Sequence, residues 1–231
     1  MILRDNSRRA EQAIGSFQVL AGVLVLVVAA DSWLLGQVSA GRPVEEIDGT
    51  LPGIAHHLLL LAELAALLTS FVLLIRWLRR AYWNLHALQQ PLDYGEGWAA
   101  GAWFVPFINL HRPYSIVKEV WRQTQLLGAE RVEPHGLLRV WWVLFTLRSL
   151  ASNVSGRLLG SAATAEQLQS ATIADLVSVV LGIGTALLTA RVVRRIAEFE
   201  EQLTLMQQVQ QLGGPAPQPA AELEENQPDS Y

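Results

Sequence analysis

The sequence predicts an all-α membrane protein. Its expected parts are four transmembrane helices, a proline-broken re-entrant or interfacial segment between the second and third, and a C-terminal cytoplasmic helix. Three observations carry that expectation. Apolar residues make up 51% of the chain, charged ones only 16%, and the mean hydropathy is +0.27, a balance that suits a small polytopic membrane protein. Four apolar runs approach the roughly 20 residues a helix needs to cross a bilayer. Arginines border these runs, while acidic residues crowd the C-terminus, so the net charge of −4 says little about partners.

The first span is expected at about 14–38, behind Arg4, Arg8 and Arg9. Such a start also resembles a signal peptide with Val28-Ala29-Ala30 as a cleavage site, but it is read as an uncleaved first helix. Arg42 to Pro52 carries Pro, Gly and three acids and reads as a short polar loop. The second span, 54–78, ends on Arg76, Arg79 and Arg80, with Trp77, Tyr82 and Trp83 as interfacial aromatics. An amphipathic continuation is expected as far as Pro91.

Residues 97–121 follow, with Trp98 to Trp121 reading WAAGAWFVPFINLHRPYSIVKEVW. Pro106 and Pro113 remove backbone donors, and the unbroken apolar part is only about 14 residues, too short to span. A segment of that kind needs other helices to cover its loosened backbone. Leu137 to Gly156 is the third span and Thr172 to Val193 the fourth, joined by a small-residue loop at 157–171. Residues 1–195 thus form the membrane domain. Basic residues flank the N-terminus, the middle segment and Arg191–Arg195, whereas the two other loops carry one Arg each. The positive-inside rule then puts both termini and the middle segment in the cytoplasm.

Ser178, Gly182, Ala186 and Ala190 form a small-residue stripe that allows close helix approach, within the bundle or between copies. Val192, Ile196, Phe199, Leu203, Met206 and Val209 have heptad spacing, so residues 192–212 could pair with a partner or a second copy. A helix lying along the bundle or membrane surface fits the same pattern. Residues 196–213 are expected as that cytoplasmic amphipathic helix, and 214–231 as a disordered acidic tail.

Charges inside spans point to function or to a structural pair. Glu63 and Arg148 each fall about 13–16 Å into their spans, near the midplane from opposite ends, and are expected to face each other. Near the outer surface Asp31, His56, His57, Arg157 and Asp175 share one level. Adjacent His56 and His57 point about 100° apart on a helix, which favours ordinary helix-end polarity over a metal site. The absence of cysteine excludes disulfides, thiolate sites and Cys nucleophiles. No catalytic motif, cofactor motif or nucleic-acid signature is present.

The runs Trp77-Leu-Arg-Arg80-Ala81-x-x-Asn84, Trp98, Trp103-Phe104-x-Pro106-x-x-Asn109-Leu110-x-Arg112-Pro113 and Val120-Trp121-Arg122 resemble the bacterial membrane family known as domain of unknown function 4328. The resemblance implies a multi-span protein of the bacterial cytoplasmic membrane and supplies no activity. On the residues' own chemistry, Asn109 can satisfy backbone groups freed around Pro106. Arg80 and Arg112 can take a lipid phosphate at the headgroup level, with Asn84 and Trp103 beside them. The leading expectation is a non-catalytic subunit or scaffold that binds a protein or lipid at the cytoplasmic face. The alternative is a small oligomeric transporter or channel-like protein using 98–121 and the Glu63/Arg148 pair. A lipid-active enzyme, with Asp31, His56 and His57 as its acid–base group, ranks third.

Overall fold

The structure, a computed structural model, describes residues 3–128 and 132–212. Among them every regular element is helical. Helix α1 spans Ser7–Ser39, α2 Val44–Asp48, α3 Leu51–Ala87, α4 Trp98–Gly101, α5 Arg112–Gly128, α6 Gly136–Ser161 and α7 Ala165–Leu212, with a 3-10 turn at Ile108–Leu110. Three helices, α1, α3 and α7, are long and apolar enough to cross a membrane. Helix α6 falls short of that mark, because Arg139, Arg148 and Arg157 punctuate its 26 residues. It nevertheless exposes Val140, Val143, Leu147, Leu150 and Val154, which recur every three or four residues as one apolar stripe.

Local chemistry sets the helix ends. The Thr50 side chain caps α3 by accepting from the Gly53 N–H at 3.2 Å, and Pro52 occupies the first turn, where its missing donor costs nothing. Gly53 is required there, since a Cβ would lie 2.2 Å from the Ile47 carbonyl oxygen. The α2–α3 corner therefore closes tightly.

Helix α7 packs along both α1 and α6, and α1 also packs on α3. The lateral order is α3, α1, α7, α6, with side chains rather than close backbone contact bridging α3 and α6. Helix α5 lies against α7 and α3 at the end carrying Arg79 and Arg191, called here the basic end. The core runs through this end: Trp77, Tyr82, Leu85, Ile116, Val120, Trp141 and Ile196 are nearly inaccessible.

Several expectations change. The loop expected at 157–171 shrinks to Ala162–Thr164, because the small polar residues on either side continue both helices. The fourth span and the cytoplasmic helix are one rod of 48 residues, about 72 Å long at helical rise. Val192, Ile196, Phe199 and Leu203 are buried inside the protein, with Trp121 of α5 edge-on to Phe199 at 5.1 Å. That part of the heptad seam closes on the chain's own α5, leaving Met206 and Val209 exposed at its far end. Residues 97–121 are not one element: α4, an irregular stretch, the 3-10 turn and the first half of α5 share them. The acidic tail at 214–231 lies outside the described residues.

Candidate functional site

Arg148 projects from α6 toward α3, where its Nη2 lies 4.0 Å from Glu63 Oε1. Room for the guanidinium comes from Gly182 of α7, one of the small-residue stripe; a Cβ there would lie 2.8 Å from Arg148 Nε. Both members of the pair are mostly withdrawn from solvent. Among the described residues Arg148 Nε is buried without a hydrogen-bond partner, so the guanidinium is only partly satisfied.

Away from the basic end the polar groups continue. His56 Nε2 and Asp31 Oδ1 lie 2.8 Å apart across α3 and α1, both buried. The Ser155 hydroxyl of α6 donates to Asp175 of α7. Asp31, His56, Glu63 and Asp175 line one cavity of about 330 Å³, walled otherwise mainly by leucines. Asp31 Oδ2 is buried there with no hydrogen-bond partner among the described residues. His57 turns away, its Nδ1–H donating to the Gly53 carbonyl at 2.9 Å, and Arg157 is exposed. The outer residues expected at one level thus divide: Asp31, His56 and Asp175 converge, while His57 and Arg157 do not. Among the described residues no group of three His or carboxylates is arranged to hold a metal ion.

The five headgroup candidates do not converge on one point. The Arg112 guanidinium stacks on Trp98 at 3.9 Å and lies 5.0 Å from Tyr94. Arg80 instead approaches Trp83 at 6.0 Å, a ring that Arg4 already covers at 3.9 Å. Asn84 is buried and clamps the N-terminal segment, donating to the Arg4 carbonyl at 3.0 Å and accepting from its N–H at 3.2 Å. Trp103 wedges edge-on between Phe71 of α3 and Phe145 of α6, at 5.5 and 6.0 Å. Asn109 is exposed, and backbone groups close the turn around Pro106: Asn109 N–H to Val105 at 3.0 Å and Ile108 N–H to Pro106 at 2.8 Å.

Two features of the basic end escape sequence reasoning. The Tyr82 hydroxyl donates to Glu119 at 2.7 Å and reaches the Tyr94 carbonyl at 3.0 Å, tying α3, the connection after it and α5 together. Burial pushes the Glu119 carboxyl above the usual range, only partly offset by the Tyr82 hydrogen bond. Asn6 donates to Glu200, whose carboxyl burial pushes up to about 7 while Asn6, Asn84 and Trp77 pull it back. Glu200 sits one helical turn beyond Ile196 in α7, past the apolar span; its single signal in sequence is an acid on the inner face of an amphipathic helix.

An all-helical architecture with three membrane-length apolar helices and a charge pair between two of the long rods defines the class: a protein built for a bilayer. Residues 54–198 match the model of the family described as Domain of unknown function (DUF4328), and the chain belongs to that family. No curated protein and no solved structure matches the chain.

Proposed function

We propose that the protein is a four-span membrane protein that admits protons or small cations from its outer face into the acidic cleft between α3 and α6. One observation carries the reading. Three carboxylates from three helices, Asp31, Glu63 and Asp175, meet His56 around one cavity, with Asp31 Oδ2 left without a partner among the described residues. Buried acids cost free energy unless they are paired, coordinate a cation or exchange protons, so their gathering supports a cation-handling site. Arg148 stands next to Glu63 as a positive charge that a passing cation must displace, the role of a gate.

The membrane layout follows the same reading. Helix α6 serves as the fourth span, with its apolar stripe to lipid and its arginines inward or at the interfaces. Trp103 meets Phe71, about 12 Å along α3 from Arg79 at helical rise, which supports a segment that dips into the cytoplasmic leaflet and returns. Both termini then lie in the cytoplasm of a bacterium, by the arginine distribution.

A flux assay tests the function. In liposomes under an imposed pH gradient the wild-type protein is expected to dissipate the gradient faster than empty vesicles, and Glu63→Gln to return it to background. Equal rates for the two proteins would sink the reading.

A second reading has its own observation. Leu205, Met206 and Val209 remain exposed on the part of α7 that projects past Arg195, which supports docking of a helical protein partner there. Its test is a pull-down in mild detergent: a partner that survives Met206→Glu and Val209→Glu excludes this surface.

A further inference from the structure

At the basic end a groove of about 780 Å³ opens between α1, α7 and the start of α6, with Trp121 of α5 in its lining. It shares no residue with the acidic cleft. Three arginines of α7, Arg191, Arg194 and Arg195, line it against two carboxylates, Glu133 and Glu198. Arg195 takes both carboxylates: its Nε donates to Glu133 at 3.2 Å and its Nη1 to Glu198. Arg191 and Arg194 are exposed, and among the described residues neither enters an ion pair. The groove thus presents two positive charges whose counter-charge must come from outside, which suits an anion.

The apolar surface leading to the groove decides which kind of anion. Ile173, Val177, Val180 and Leu187 of α7 are each more than half exposed and recur at helical spacing on one face. Arg191 and Arg194 continue that face four and seven residues past Leu187. From Ile173 to Leu187 the stripe covers about 21 Å at helical rise, longer than one leaflet's half of a core about 30 Å thick. Leu137 of α6 joins Leu187 in walling the groove, and Gln18 of α1 brings an amide donor to it. A free anion in water would use the two charges and leave the apolar stripe idle.

We propose that this groove binds an anionic phospholipid of the leaflet at the basic end, its phosphate held by Arg191 and Arg194 and its acyl chains laid along the exposed face of α7. A guanidinium fork matches two phosphate oxygens, and long arginine stems reach the headgroup level from a helix end. Basic pockets between membrane helices hold anionic headgroups by this pairing of charge with adjoining apolar surface. Arg195, bound to Glu133, fastens the connection before α6 to α7 and so fixes one wall of the groove.

Native mass spectrometry of the full chain in mild detergent tests the site. The probe is dioleoylphosphatidylglycerol, with dioleoylphosphatidylcholine as the zwitterionic control and glycerophosphate as the headgroup without chains. The first phosphatidylglycerol is expected to bind at least about tenfold tighter than phosphatidylcholine, with no glycerophosphate bound at the same concentrations. One arginine near an anionic lipid surface is worth about fivefold in affinity, so Arg191→Gln with Arg194→Gln is expected to cost at least about tenfold. Arg76→Gln with Arg79→Gln removes the same charge from exposed positions of α3, which does not line the groove, and is expected to cost less than about threefold. Should the first double variant fail to fold, Arg194→Gln alone carries the test, with an expected loss of about fivefold. Equal binding of the two lipids, glycerophosphate binding as tightly as the lipid, or a loss on the α7 arginines no larger than on the α3 pair overturns the proposal.

Discussion

Gly182 of α7 lies against the guanidinium of Arg148, so close that a methyl group at 182 would sit 2.8 Å from Nε and 3.2 Å from Leu24 Cδ1. Alanine gains about 1 kcal/mol over glycine in helix propensity, whereas overpacking costs about 1–3 kcal/mol. The clash is with side-chain ends, of which Arg148 must give way. Gly182→Ala is therefore expected to be destabilising by about 1 kcal/mol alone and neutral or stabilising in an Arg148→Ala background. Thermal unfolding of the two single variants and the double variant in detergent checks this coupling; additive effects would show that the two residues do not press on each other.

The charge pair itself makes a different prediction. Removing one member leaves the other buried without compensation, which costs about 3–5 kcal/mol, while replacing both with apolar residues of like size is close to neutral. Glu63→Leu and Arg148→Met are each expected to lower stability markedly, and the double variant to recover most of the loss. A double variant no better than the worse single one would mean that Glu63 and Arg148, at 4.0 Å, are not energetically joined.

Phe107 carries a strained backbone, with φ of 63° and ψ of −37°, at the centre of the three-residue turn closed by Ile108 N–H to Pro106. That turn is rare for residues with a Cβ. Its ring is 87% exposed, so it contributes almost nothing to packing within the protein. Phe107→Ala removes the ring and keeps the strain; Phe107→Gly removes both. Glycine is expected to be the more stable variant by about 1 kcal/mol, read as the difference in thermal unfolding in detergent. The reverse order would locate the strain elsewhere.

How far the sequence discloses this arrangement depends on the range of the interaction. Long apolar runs are visible because length and hydropathy are local, and α1, α3 and α7 appear where those runs lie. Depth along a rod is also local arithmetic, which is how Glu63 and Arg148 can be put on one level before any contact is known. Helix ends are less legible: Arg191, Arg194 and Arg195 read as a terminus, yet Ile196, Phe199 and Leu203 carry the buried stripe straight through. Asn6 and Glu200 are 194 positions apart, and nothing in either neighbourhood announces the other. Trp103 shows the same limit, since its partners Phe71 and Phe145 are ordinary apolar residues of two separate spans.

Glu200 fixes a pH dependence with a definite sign. Its carboxyl is held up to about 7 in the folded protein against 4.5 for the ordinary carboxyl. Between those values the folded chain keeps a proton that the unfolded chain has lost, so stability is full below about pH 4.5 and falls as pH rises toward 7. Because the side chain is partly accessible, the loss is of order 2 kcal/mol at most. The unfolding temperature in detergent is expected to fall from pH 5 to pH 8 in the wild type, with that slope flattened in Glu200→Gln. Parallel curves for the two proteins would remove Glu200 as the source.

The membrane topology can be tested cleanly because the chain has no cysteine of its own. Ser7, Lys118, Arg42 and Ser161 are all exposed, the first two near the basic end and the last two at the opposite helix ends. Single cysteines at these positions, treated on intact spheroplasts with a membrane-impermeant maleimide, are expected to split in pairs. Arg42→Cys and Ser161→Cys react at once; Ser7→Cys and Lys118→Cys react only after the membrane is opened. The position of Lys118 decides the matter. A segment that dips in and returns leaves the start of α5 on the side of the N-terminus, whereas a full crossing between Trp98 and Arg112 carries Lys118 to the side of Arg42. A full crossing would also draw Arg191, Arg194 and Arg195 across with α7, against the charge distribution that orients the other spans. Reaction of Lys118→Cys alongside Arg42→Cys therefore overturns the dipping segment and the side assigned to the acidic cleft together.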